Sequence, residues 1–161
     1  MKMLAVPLFV CAMMALTRAA AERHEVKRST CCPSDWSEIH GRCFRYVPTA
    51  MSWAKAEKNC QSIGGNLASV HSLKEYQEIQ RLIVAAGHHH QLSWIGGTDA
   101  PGEGVWLWSD GSEFTYLHRS DGQPDNLGRK QHCIQMNFGA KKRWDDLNCL
   151  NRLPFVCARK M

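Results

Sequence analysis

After residue 21 the sequence has no apolar run that approaches the length needed to cross a bilayer. No neighbouring pair of C-x-x-C motifs is present, which disfavours a zinc-ribbon or zinc-finger module. There is no G-x-S-x-G segment and no carboxylate pair with an evident acid–base asymmetry, so nothing reads as catalytic machinery. Internal repeats and low-complexity linkers are also missing. So is a surplus of one charge. The formal net charge is +5, but Lys2, Arg18, Arg23, Lys27, Arg28, Glu22 and Glu25 all precede Ser29. The 133 residues from Ser29 onward carry 15 basic and 13 acidic side chains, which gives no ground for a nucleic-acid partner.

What is present starts with a leader. Lys2 precedes the apolar run Met3 to Leu16, and Ala19-Ala20-Ala21 offers a small-residue cleavage site. At 1.5 Å per residue the run reaches roughly 21 Å, short of the ~30 Å hydrocarbon core. Residues 1–21 therefore read as a secretory signal peptide, and the protein as secreted and extracellular with no membrane span. Residues 22–31 read as a short extension or propiece with a dibasic Lys27-Arg28. The remainder, 32–160, has the size of one domain with a core of its own. Of eight cysteines, Cys11 leaves with the leader. The seven that remain belong to an oxidising compartment, and an odd number leaves one over. Spacing does not decide which pair.

Apolar periodicity predicts an α+β domain. The stretch "CCPSDWSEIHGRCFRYV" reads as an edge hairpin turning at Gly41. Trp53, Ala56, Cys60 and Ile63 form one helical stripe, with Ser52 as its cap. Leu73, Tyr76, Ile79 and Ile83 form another, with Ser72 and Glu75 as a capping box and Gly87 as the stop. "LSWIGG", "GVWLWSDG", "HCIQMNF" and "RLPFVCA" then read as strands. His88-His89-His90 reads as a solvated loop, because neighbouring strand residues cannot all face one ion.

The polar segment Glu113 to Lys130 is too long for an ordinary connection and is expected to be functional. In and after it stand Gln123, Asp125, Gln131, Asp145 and Asp146. All five offer hard oxygen donors, the set that suits Ca²⁺ with its 6–8 oxygen ligands. The bland reading is an acidic surface loop of turn-forming Asp and Asn.

"CCPSDWSEIHGRCF", "SWAKAEKNC", "GGNLASVHS", "WIGG", "WLWSDGS", "GQPDN", "HC", "RWDD", "C" and "FVC" occur here in the order seen in C-type lectin domains. From Cys32 to about Arg159 the sequence resembles that family, above all the small secreted fish lectins and fish type II antifreeze proteins. The resemblance implies a C-type lectin-like fold of two helices, short antiparallel sheets and a long ligand loop. It also implies three disulfides, Cys32–Cys43, Cys60–Cys157 and Cys133–Cys149, and leaves Cys31 over, which either links two chains as a homodimer or stays a free or mispaired thiol beside Cys32.

By the same resemblance, Gln123 and Asp125 match the Gln-Pro-Asp pair of galactose-type loops. Gln131 stands where Glu is usual, and Asp145 where Asn is usual. The mannose-type shell is Glu, Asn, Glu, Asn, Asp and the galactose-type is Gln, Asp, Glu, Asn, Asp. Both carry three negative charges, and so does the set here. In such sites each of two vicinal sugar hydroxyls donates to a carboxylate and accepts from an amide. Gln123/Asp125 and Gln131/Asp145 both keep one of each. Relative to the galactose type the second pair is inverted; relative to the mannose type both are. Galactose is the default, and a mannose-like or broad preference is the alternative. Arg119 stands where the family often has Trp, which removes one aromatic surface for a sugar face.

The implied function is calcium-dependent binding of glycans on microbial surfaces, in innate immune recognition, with Ca²⁺ as cofactor and no enzymatic activity. A type II antifreeze-like ice-binding protein is the alternative. Against it, such proteins characteristically carry ten cysteines. A protein-binding module that has lost sugar binding is a third reading.

Overall fold

The computed structural model describes residues 32–161. The expected signal peptide, the extension and Cys31 lie outside the described residues. The elements are β1 (Ser37–Ile39), β2 (Arg42–Met51), α1 (Trp53–Ser62), β3 (Asn66–Leu67), α2 (Leu73–Ala85), β4 (Ser93–Thr98), β5 (Leu107–Trp108), β6 (Cys133–Phe138), β7 (Arg143–Leu147) and β8 (Leu153–Lys160).

The strands join into one eight-stranded sheet in the order β1-β2-β8-β4-β6-β7, with β3 on β8 and β5 on β4. The sheet is mixed, where the sequence suggested short antiparallel sheets: β8 runs parallel to β4 at Trp94 and Phe155. The physical reason lies in β8. Phe155, Val156 and Cys157 are fully buried, and an uninterrupted apolar run of this kind suits a strand covered on both faces. Lying between β2 and β4, β8 pulls the N-terminal and C-terminal parts of the chain into one sheet.

Both helices form where the periodicity predicts them. In α1, Ala56 and Cys60 are fully buried, and the Trp53 indole donates to Ile95 O at 2.9 Å. Ser52 takes the cap position, but its side chain makes no capping bond. At α2, Ser72 Oγ accepts from Glu75 N at 3.1 Å. The Glu75 carboxylate accepts from His71 N (2.7 Å), one residue outside the usual reciprocal box, and pairs with Arg42 at 2.9 Å. Tyr76, Ile79 and Ile83 are buried as expected; Leu73 is 48% exposed and falls off the stripe.

The "WIGG" glycines answer to packing. A Cβ on Gly96 would stand 2.6 Å from Leu67 O, and one on Gly97 would run into Ile134. Glu57, buried on α1, accepts from Leu67 N (2.7 Å), Asn66 Nδ2 (2.6 Å) and Ser109 Oγ (2.9 Å), which ties the helix to the sheet. Three disulfides form, Cys32–Cys43, Cys60–Cys157 and Cys133–Cys149, with Cα separations of 5.5, 5.4 and 5.2 Å.

Asp110 is a second electrostatic tie. Burial pushes its carboxyl up, but hydrogen bonds from Ser112 and Ser69 and the charge of Arg42 outweigh burial and hold it below the usual range. A lowered acid stabilises the fold at neutral pH and loses that contribution as pH falls through and below about 4. Asp110→Asn should therefore lower the thermal midpoint at pH 7. Its deficit should shrink toward pH ~3, as the parent's Asp110 protonates and loses its charge while the uncharged Asn is unaffected. A deficit independent of pH would contradict this.

Candidate functional site

The connection from β5 to β6 contains no strand, yet it is packed. Phe114 stacks on Trp108 with ring centroids 4.5 Å apart, and Tyr116 meets Trp144 edge-on at 5.7 Å. Trp144, 1% exposed, is a core anchor and offers no sugar platform. Strand β7 lays Trp144 against this aromatic group. The segment before the loop is pinned to it by Trp144 N on His118 O and Ser120 N on Trp144 O, both 2.8 Å.

The loop then turns at Gln123-Pro124, a cis peptide, and at Asn126, which is left-handed with φ 45°. Its oxygens converge on its own backbone. Asp146, 1% exposed on β7, accepts from Asp125 N at 2.9 Å and Asn126 N at 2.7 Å. One buried carboxylate thus satisfies two consecutive loop amides. Gln123 Oε1 accepts from Asp125 N (2.9 Å), and Gln123 Nε2 donates to Asp125 Oδ2 (3.3 Å). Leu127 N donates to both Asp125 Oδ1 (3.0 Å) and Gln131 Oε1 (2.8 Å).

Asp145 behaves differently. It is the cross-strand neighbour of Gln135, whose amide donates to it at 2.6 Å in a buried contact. Burial pushes the Asp145 carboxyl up to about 6; the Gln135 bond opposes this, and the charges of Asp146 and Asp125 add to the rise. Gln123, Asp125, Gln131 and Asp146 therefore share one hydrogen-bonded loop, with Asp145 beside it and turned toward Gln135. The donor set suits Ca²⁺, since every ligand atom would be oxygen and the crowding of three carboxylates is what a cation relieves.

Trp106 was not singled out by sequence reasoning. It lines a shallow cleft with Arg119, Gln123, Pro124, Asp145 and Asp146. The alternation in "WLW" is the signal that could have found it, because period two places Trp106 on the same side as buried Trp108. Asn126 was also missed. Its Nδ2 donates to Glu103 Oε1 at 2.7 Å and its Oδ1 accepts from Gln131 N at 3.0 Å, so it staples two loop segments together. His88 lies against Tyr46, with ring centroids 5.4 Å apart, and His89 and His90 are exposed.

The family model described as "Lectin C-type domain" matches residues 49–159. The chain belongs to the C-type lectin domain family. Ladderlectin of Oncorhynchus mykiss is 46% identical over 123 residues, 76% of this chain and 65% of ladderlectin. Galactose-specific lectin nattectin of Thalassophryne nattereri is 38% identical over 84% of each chain. A type-2 ice-structuring protein of Hemitripterus americanus is 41% identical over 97% of this chain and 98% of its own. Among solved structures, a Ca²⁺-dependent type II antifreeze protein in its Ca²⁺-free form superposes with TM-score 0.74 at 36% identity, covering 80% of this chain and all of that one. A calcium-independent type II antifreeze protein gives 0.73 at 35%, covering 81% of this chain and 95% of that one. The C-type lectin domain here thus has lectins and ice-structuring proteins as relatives, not enzymes. Among the described residues no helix is long and apolar enough to cross a membrane.

Proposed function

We propose that this is a secreted, calcium-dependent lectin that reads glycans through the loop from Gln123 to Asp146. The observation that carries the reading is the contact between the Gln123 amide and the Asp125 carboxylate, held at the loop turn by Asp146. Gln123, Asp125, Gln131, Asp145 and Asp146 would hold the ion, which supplies coordination for two vicinal hydroxyls. The residues themselves supply direction: a carboxylate accepts the hydroxyl proton and an amide donates to its oxygen. The Gln123/Asp125 order is that of the galactose-type loop, and nattectin, 38% identical, is named galactose-specific. The inverted order at Gln131 and Asp145 supports a mannose-like preference as the competing specificity. Trp106 offers the apolar wall that Arg119 does not.

Single sugar sites bind weakly, and a Cys31–Cys31 bridge between two copies would supply multivalency for microbial glycans in innate immunity. The test is a glycan array with the secreted chain, run with Ca²⁺ and with chelator. Binding that disappears with chelator and favours terminal galactose is expected. Chelator-insensitive binding, or none, overturns the reading, and binding confined to mannose-type sugars overturns the galactose assignment.

Ice binding is the second reading, favoured by the near-complete coverage of the ice-structuring relative. Thermal hysteresis at millimolar protein, with and without Ca²⁺, decides it.

A further inference from the structure

Where β2 begins and β8 ends, a cleft of ≈ 430 Å³ is lined by Arg42, His71, Asp110, Ser112, Arg159 and Lys160. None of them belongs to the five-oxygen set. The volume is that of a small-molecule site. Five segments distant in sequence build it: the start of β2, the turn after α1, the residue before the α2 cap, the turn after β5 and the end of β8.

The acceptors on its walls are already occupied. Asp110 Oδ1 accepts from Ser112 N at 2.9 Å and from Ser112 Oγ at 2.6 Å, and Asp110 Oδ2 accepts from Ser69 Oγ. Ser69 thereby gives away its only hydroxyl proton. Its two other contacts, Arg42 Nη2 at 2.8 Å and His71 Nε2 at 3.0 Å, must then donate to it. Glu75 accepts from Arg42 Nη1 at 2.9 Å and from His71 N at 2.7 Å. Donors, in contrast, are left over. Among the described residues neither Arg159 nor Lys160 pairs with a carboxylate. Three cations, Arg42, Arg159 and Lys160, thus face two carboxylates, Asp110 and Glu75.

The Arg159 guanidinium is also positioned. Its Cζ lies 6.0 Å from the centroid of the Trp36 ring. A Cβ on Gly64 would stand 3.0 Å from Arg159 Nη1, so glycine at this left-handed turn leaves the guanidinium its room. A Cβ on Gly65 would stand 2.5 Å from Ala158 O, so the second glycine lets the turn close against β8. A guanidinium fork beside an ammonium suits a group with several charged oxygens. No Trp, Tyr or Phe lines the cleft, so a nucleobase would find no stacking face. The space beyond one oxyanion fits a hydroxylated ring.

We propose that this cleft binds the sulfate or phosphate ester of a sugar, with Arg159 and Lys160 on the ester oxygens and Arg42 supplying a third positive charge. The site needs no calcium and is independent of the ligand loop.

The experiment uses the full secreted chain in buffer freed of Ca²⁺ by a chelating resin, so that calcium-dependent sugar binding plays no part. Glucose 6-sulfate, glucose 6-phosphate and glucose are titrated separately, by calorimetry and by amide chemical shifts. Saturable binding of one or both esters is expected, with none by glucose, and the tighter ester identifies the substituent. The amides of Gly64, Gly65, Asn66, Gly111 and Ser112 should shift. Arg159→Gln and Lys160→Gln should each weaken binding about 5–10-fold, and together abolish it. Lys55→Gln/Lys141→Gln removes the same charge from exposed positions outside the cleft and should leave the affinity unchanged. The proposal fails if neither ester binds, if glucose binds as the esters do, if the double cleft variant binds as the parent does, or if the control variant loses as much as the cleft variant. Should Arg159→Gln not fold, Lys160→Gln, exposed at the end of β8, and the amide shifts of the parent decide. A failed glycan array leaves each of these results readable.

Discussion

Asp146→Asn is expected to remove most calcium-dependent binding and to loosen the loop at the same time. The Asp146 carboxylate accepts from Asp125 N and Asn126 N while 1% exposed. An asparagine offers one oxygen and turns its NH₂ against the second donor. With the remaining oxygen kept on Asn126 N, Asp125 N retains Gln123 Oε1 as acceptor, so the stability loss is that of one hydrogen bond, about 0.5–1.5 kcal/mol. The substitution also removes one of the three negative charges that would face the ion. We expect Ca²⁺ affinity to fall roughly a hundredfold, equivalent to about 2.7 kcal/mol. Calorimetry measures the affinity, and chemical denaturation measures the stability loss. Gln131→Glu is the opposing variant: it keeps the acceptor for Leu127 N, adds a charge, and should tighten Ca²⁺. If Asp146→Asn binds Ca²⁺ within twofold of the parent, the ion does not sit in this loop.

The second large effect lies in the core. Cys60 and Cys157 are fully buried, and their bridge spans a sequence separation of 97 residues, against 16 for Cys133–Cys149. In the chain-entropy treatment a loop of about 100 residues is worth about 4.7 kcal/mol and one of about 15 residues about 3 kcal/mol. The paired replacement Cys60→Ala/Cys157→Ala also leaves sulfur-sized space beside Trp94, Leu67 and Phe155, which pack in the same cluster. Equilibrium urea unfolding should show a loss of about 4–5 kcal/mol, enough to leave a domain of ordinary stability barely folded. The matching replacement at Cys133 and Cys149 should cost less. Equal losses at the two bridges would show that strain or denatured-state structure, and not loop length, dominates.

The parts legible in the sequence were those governed by short-range periodicity and by motif. Tyr76, Ile79 and Ile83 repeat at helical spacing and are buried on α2. Gly41 turns the first hairpin in the left-handed region, as its place between two strand-like runs implied. The cysteine pairing came from family resemblance, because odd-numbered cysteines do not reveal partners by spacing. Less legible were contacts between segments far apart in sequence. The parallel pairing of β8 with β4, the Asn126–Glu103 staple and the position of Trp106 beside Gln123 each depend on distant segments meeting.

By itself the sequence determined the family, the helices, the hairpin and the identity of five oxygen-bearing residues near one loop. These follow from local pattern, since each helical face or turn is specified within a dozen residues. Only the tertiary structure decided how those oxygens are used. It turned Asp145 toward Gln135 because the two are cross-strand neighbours, and it set Asp146 beneath two loop amides because β7 runs under the loop turn. It also brought Asp99, Glu103 and His132 together across a sequence separation of 33, by bonding Thr98 and Asp99 to the carbonyl of His132. A side chain's type is local, but its partners are chosen by strand register and loop closure, which sequence spacing does not encode.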